Sequence, residues 1–149
     1  MTVTVEIARD STAQLLEGVN RLLPQLSSRA AALEMADLDR LITSSASTLL
    51  VARRDGELVG MLTLVTFMIP SGRRAWIEDV VVDEAARGSG VGGALTTAAI
   101  AEARRRGVRS IDLTSRPTRV GANALYQKLG FEQRVTNVYR YFLESDPLK

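Results

Sequence analysis

The chain has 149 residues, 46% hydrophobic and 24% charged, the balance of one soluble globular domain with a real core. It contains neither cysteine nor histidine, which excludes disulfides, thiol nucleophiles and imidazole bases or metal ligands and leaves carboxylates, tyrosines, lysines and water for acid–base work. A net charge of +2 is too small to point to nucleic acid, no apolar run is long enough to span a bilayer, and the polar-alternating start lacks a signal segment; the expectation is one cytoplasmic domain over 1–149, with no metal, membrane or nucleic-acid partner.

TVTVEIAR at the start alternates with period two and predicts a first strand. Ser11 or Thr12 is placed to cap a helix over residues 13–23, which Pro24 should terminate. A second, more polar helix is expected from about Arg29 to Ile42. Residues 47–67 read as two strands around Asp55-Gly56, a strong hairpin signal. Residues 68–74 read as a loop and AWIEDVVV, 75–82, as a strand rich in β-branched side chains. A glycine-rich stretch, ARGSGVGGAL, leads into a helix over 93–106 that Gly107 stops. Its basic last turn, Arg104 to Arg106, complements the helix dipole. A strand over 109–115, a short helix over 121–129 ended by Gly130, and two short strands or one bent one over 131–144 complete the chain. The predicted class is α/β, a mixed central sheet flanked by helices, with one parallel crossover between Trp76 and Thr114.

The glycine stretch satisfies two phosphate-binding patterns. Gly88, Gly90 and Gly93 fit G-x-G-x-x-G, the dinucleotide fingerprint, whereas Arg87, Gly90 and Gly92 fit R-x-x-G-x-G, which belongs to coenzyme A binders. The fingerprint wants its first glycine directly at the strand end, but Asp83 to Arg87 intervene, two of them acidic where a pyrophosphate would sit. The unit also begins near residue 76, after an antiparallel hairpin, with too little chain left for further βα pairs. No G-K-[ST] follows, so a P-loop is excluded. A pyrophosphate at the N-terminus of the following helix would be held by free backbone N–H groups and the helix dipole, with glycines keeping side chains out of the way.

VVVDEAARGSGVGGAL followed by NALYQKLGF resembles the GNAT family of N-acetyltransferases, over roughly residues 48–142. The resemblance implies an acetyl-CoA cosubstrate, with its pyrophosphate on the backbone of Gly88, Ser89, Gly90, Val91, Gly92 and Gly93; Arg87 adds charge at the rim or anchors the loop to its own carbonyls. It implies that Val80, Val81 and Val82 hydrogen-bond the pantetheine arm like an added strand, the Val80 N–H polarising the thioester carbonyl. Tyr126, in the L-Y-x-x-x-G-F stretch, matches the tyrosine that protonates the leaving sulfur. Many members carry an asparagine seven residues before that tyrosine; this chain has Arg119 there, which could instead reach a coenzyme phosphate, and the role does not transfer to Asn123.

Glu78 is the candidate base, matching a glutamate that faces the acceptor amine in several members. By alternation Trp76, Glu78, Val80 and Val82 share one face and Ile77, Asp79 and Val81 the other, so Glu78 should be desolvated with a raised pKa. Its alternative roles are attraction of a cationic substrate or a salt bridge to an arginine such as Arg74, and Asp79 is the understudy. The implied activity is transfer of acetyl from acetyl-CoA directly onto a primary amine in a ternary complex. A small cationic amine is the expected acceptor; a protein or peptide amine, or a non-catalytic coenzyme A-binding sensor, are the alternatives. Tyr139 and Tyr141 could line the acceptor pocket or pack in a core or interface, and pairing of exposed final strands would give a homodimer.

Overall fold

The computed structural model describes residues 2–143, which fall into two compact units divided after Leu113. The first unit holds a five-stranded sheet in sequential order: β1 (Val3–Ile7), β2 (Ser47–Arg54), β3 (Glu57–Ile69), β4 (Gly72–Val82) and β5 (Ile111–Asp112). Neighbours from β1 to β4 are antiparallel, and β5 runs parallel to β4, as a single crossover through a helix requires.

Period-two alternation divides the sheet residues between two helical layers. On one face Leu49, Val51, Met61 and Val81 pack with Leu15, Val19 and Leu22 of α1 (Ala13–Leu26) and Leu38 of α2 (Met35–Thr43). The three α1 residues recur at helical spacing and lie at 3% exposure or less, the buried stripe of an amphipathic helix. On the other face α3 (Val91–Arg105) lies over Gly60 through Val91 and Leu95, both fully packed.

Several boundaries differ from the sequence expectation for local reasons. Thr12 caps α1, its hydroxyl accepting from the Leu15 N–H at 3.1 Å, but Pro24 does not end the helix. A proline in the last turn removes one hydrogen bond while keeping a helical φ, and Ser27 N–H still reaches the Leu23 carbonyl. The second helix starts at Met35 rather than Arg29, where Glu34 and Asp37 form a reciprocal capping box. Residues 68–74 are not a loop: Met68 pairs with Arg73 and Ile69 with Gly72, leaving Pro70 and Ser71 as a two-residue turn. The other hairpin turns at Asp55 (φ 53°) and Gly56 (φ 82°), the double positive φ of a type I′ turn. The last sheet strand has only two residues instead of seven.

The second unit begins with an extended stretch and carries α4 (Val120–Lys128), which closes at Gly130 with φ 102°. Tyr126 is its buried residue and meets Phe131 edge-on, ring centres 5.8 Å apart. Beyond Phe131 the described residues form neither of the strands expected there.

Near the C-terminal end of α3, the largely buried Glu102 receives the guanidinium groups of both Arg105 and Arg106. These hydrogen bonds, that of Arg105 foremost, hold its carboxyl at about 2, against an ordinary 4.5, although burial pulls the other way. A depressed folded-state pKa stabilises the fold above the unfolded value, and that contribution is lost as pH falls from 4.5 toward 2. Glu102→Gln is expected to cost on the order of 1–3 kcal/mol in urea unfolding at neutral pH, with the difference from wild type vanishing near pH 2.

Candidate active site

The first unit brings together the C-terminal half of β4 and the glycine loop that follows it. Between Met61↔Val81 and Thr63↔Glu78 the register slips by one residue, so β4 carries an extra residue around Asp79. Asp79 takes φ 50°, a conformation uncommon for a non-glycine side chain, and the strand bulges there. The bulge corrects the expected alternation. Val81, opposite Met61, joins the face of Glu78 and Trp76, while Val82, opposite Gly60, crosses to the α3 side with Ile77.

β5 covers β4 only at Ala75 and Trp76. From Ile77 to Val82 that edge has no strand beside it among the described residues, so Val80, Val81 and Val82 lie where an extended ligand can add as a strand. Glu78 and Asp79 are exposed, which overturns the expectation that Glu78 is desolvated. Nor does Glu78 pair with Arg74: that guanidinium meets Asp112 on β5 at 2.7 Å.

After β4 the chain makes a single 3-10 turn over Glu84–Ala86, capped by Asp83, whose carboxylate accepts from the Ala85 N–H at 3.1 Å. Asp83 also meets Arg21 of α1 at 2.7 Å, and Gln25 accepts from the Glu84 N–H at 2.8 Å. The Ala85 N–H, with Arg21 and Gln25, holds the Asp83 carboxyl below its usual range despite partial desolvation. Of the two acids that argued against a pyrophosphate, Asp83 is therefore turned to α1 and neutralised there, while the Glu84 side chain stays exposed.

Gly88 and Gly90 take φ values of 79° and 84°, and a Cβ at either position would meet nothing within 4 Å. The glycines are needed for their backbone conformation, and the space in front of them is open. Ser89 donates its hydroxyl to the Ala86 carbonyl. Gly90 is the N-cap of α3 and no side chain caps the helix; the first backbone bond runs from Ala94 N–H to the Gly90 carbonyl at 3.0 Å. The N–H groups of Val91, Gly92 and Gly93 are thus left without helical partners at the positive end of the dipole, in the first turn of a fifteen-residue helix. Such an end can hold an anion through backbone donors. Arg87 is exposed and, among the described residues, its side chain bonds no loop carbonyl, which removes one of its two expected roles. Two clefts of about 260 and 450 Å³ among the described residues lie toward the other end of α3, around Glu102 and Arg105 and around Arg73 and Arg106.

The second unit holds the other two expected site residues. Arg119 is the exposed N-cap residue of α4. Burial raises the Tyr126 phenol above its ordinary range, with the Arg119 charge pulling it back. Asn123 donates its side-chain amide to the Arg116 carbonyl at 3.0 Å, a local tie that agrees with leaving it out of the site.

The sequence matches the family model of the acetyltransferase (GNAT) family over residues 15–131. The chain belongs to the GNAT acetyltransferase family. It is an enzyme of acetyl transfer, and the family takes its acetyl group from acetyl-CoA. Among solved structures, this GNAT chain is similar to a transcriptional regulator from Bacillus halodurans C-125, with 29% identity, TM-score 0.80, and 95% and 100% of the two chains covered. It shares its fold with an aminoglycoside acetyltransferase from an uncultured soil metagenomic sample, with 23% identity, TM-score 0.80, and 95% and 99% coverage. The ribosomal-protein-alanine N-acetyltransferase of Brucella melitensis biovar Abortus 2308 also has this fold, with 20% identity, TM-score 0.75, and 95% and 99% coverage. No curated protein sequence matches the chain.

Sequence inspection alone did not identify three residues that shape the GNAT loop. Arg21 and Gln25 anchor it from α1, and nothing local in the sequence marks that long-range contact. Gly60 had a signal, a glycine interrupting an apolar strand. A Cβ there would lie 2.8 Å from Val91 Cγ1 and 3.1 Å from Leu95 Cδ1. Gly60→Val is expected to displace the first turn of α3 and weaken acetyl-CoA binding roughly tenfold or more in calorimetric titration, with the circular dichroism of the sheet retained.

Proposed function

We propose that this enzyme transfers acetyl from acetyl-CoA directly onto the primary amine of a small cationic compound. The observation that carries the reading is the uncapped first turn of α3 behind Gly88 and Gly90, whose free backbone donors suit a pyrophosphate. On this reading the N–H groups of residues 88–93 hold the coenzyme phosphates, Arg87 adds charge at the rim, and Arg119 is assigned to a further phosphate. The open β4 edge past Trp76 supports assigning Val80 to Val82 to the pantetheine arm, with the Val80 N–H aimed at the thioester oxygen.

In the transfer, the amine nitrogen attacks the thioester carbon, the C–S bond breaks, and the sulfur gains a proton while the nitrogen loses one. No protein nucleophile is needed, which suits a chain without cysteine or histidine. Tyr126 is assigned to protonate the sulfur, on its place in the L-Y-x-x-x-G-F stretch. Its burial keeps the phenol protonated through neutral pH. The exposure of Glu78 favours attraction of an ammonium, with deprotonation through water, over a desolvated direct base. Solved aminoglycoside acetyltransferases of the same fold, one of them in complex with sisomicin, support a small polyamine-like acceptor.

The test is thiol release from acetyl-CoA, read with a disulfide dye against polyamines, amino acids, aminoglycosides and short peptides with free N-termini. A chain without cysteine adds no background. Release stimulated by the cationic small amines is expected; stimulation by peptides alone would move the acceptor to proteins, and binding without release would make the chain a sensor. Tyr126→Phe is expected to lower kcat roughly tenfold or more while leaving the affinity for acetyl-CoA nearly unchanged. Unchanged turnover would remove the acid role.

A further inference from the structure

At its C-terminal end α3 meets the β3–β4 hairpin and the residues that lead into β2, and together they enclose the 450 Å³ cleft. Cross-strand pairing sets Met68 of β3 opposite Arg73 of β4, and the end of α3 brings Arg105 and Arg106 to the same cleft. Among the described residues no carboxylate lines it. Glu102 lies behind the two helix arginines, accepting from two nitrogens of Arg105 and one of Arg106. The helix C-terminus adds about half a negative charge, to which Arg73 responds by donating to the Arg106 carbonyl at 2.9 Å. One carboxylate and a helix end do not balance three guanidinium groups.

Hydrogen-bond donors remain as well. Among the described residues Arg73 Nε and Nη2, Arg105 Nη1 and Arg106 Nη2 make no hydrogen bond. Arg106 Nη1 lies 3.5 Å from both the Ser45 carbonyl and the Thr66 hydroxyl, contacts long enough for a better acceptor to displace. Beside these cations the wall turns apolar, with Phe67 half-buried and Met68 showing 69% of its surface. A concave surface with a few convergent polar groups and an apolar flank is the usual form of a small-molecule site.

We propose that this cleft binds a small organic dianion, a phosphate monoester or a dicarboxylate with an apolar body, at a site separate from the coenzyme cradle. Planar guanidinium forks match the paired oxygens of either anion. Three guanidinium groups less one carboxylate leave an excess that a doubly charged ligand meets. The volume falls within the roughly 300–1,000 Å³ of small-molecule sites, so the ligand has a body, which Met68 and Phe67 would cover. The fifteen residues of α3 put about 22 Å between this end and the first turn, so both sites can be filled at once.

The experiment is calorimetric titration of the full chain with phenyl phosphate and with phenylsuccinate, each with and without saturating coenzyme A. The buffer is set at about pH 8, where a phosphate monoester with a second pKa near 6 is doubly charged. One ligand per chain is expected, with a dissociation constant of about 1 mM or tighter that coenzyme A leaves unchanged. The tighter of the two probes names the anion. Arg73→Gln is expected to weaken binding roughly fivefold or more. Met68→Glu, which sets a carboxylate opposite Arg73 at an exposed strand position, is expected to abolish it, with circular dichroism and coenzyme A affinity retained in both variants. No binding of either probe up to about 10 mM overturns the proposal. So does binding that coenzyme A displaces, since the anion then occupies the cradle, and so does binding that both variants leave unchanged.

Discussion

The seating of α3 on the sheet depends on a missing side chain. Val91 and Leu95 occupy the space that a Cβ at residue 60 would need, and both are packed at 1% exposure or less. Valine is stiff at χ1, so its γ-carbon cannot simply swing away. The contact fixes one end of the glycine loop; the Asp83–Arg21 pair, with Gln25, fixes the other. Between these anchors the loop needs little of its own to hold shape: the positive φ of Gly88 and Gly90 and the short tie from Ser89 to Ala86.

The bulge in β4 adds a second constraint of the same kind. One extra residue at Asp79 turns Val82 toward α3 and Val81 toward the α1 layer, and a bulged strand bends. The strand therefore serves two masters along its length. Its first half is an ordinary sheet member beside β5, and its second half packs Val81 into the α1 layer and turns the half-buried Val82 toward α3 while leaving an edge open among the described residues.

Much of this was legible in the sequence, and the pattern of what was not is physical. The hairpin at Asp55-Gly56, the stop at Gly107 and the glycine loop carry strong local signals, because only particular residues tolerate positive φ. The family was legible for the same reason. The bulge was missed because alternation assumes an uninterrupted period of two, although an aspartate within WIEDVVV, a residue that strands disfavour, was the available hint. The exposure of Glu78 was missed with it. Pro24 and residues 68–74 misled because turn-forming residues were read as breaks where the pairing of neighbours carried the elements through. The Arg21–Asp83 pair and the burial of Glu102 required knowing which surfaces meet, which no single stretch of chain records, whereas the partners of Glu102 at i+3 and i+4 stood in the sequence.

If the proposed cradle holds its phosphates through peptide N–H groups, it has a peculiar genetic consequence. Donors of this kind are supplied by every residue except proline, so the side chains of Ser89 and Val91 serve the shape of the loop and not the donors themselves. What the chain must preserve is mostly a set of vetoes: no Cβ at 88 and 90, none at 60, and no proline through the first turn. Substitution can therefore erode the visible spelling of such a site for a long time while its function survives, and then end it with one wrong letter at a position that had seemed to contribute nothing.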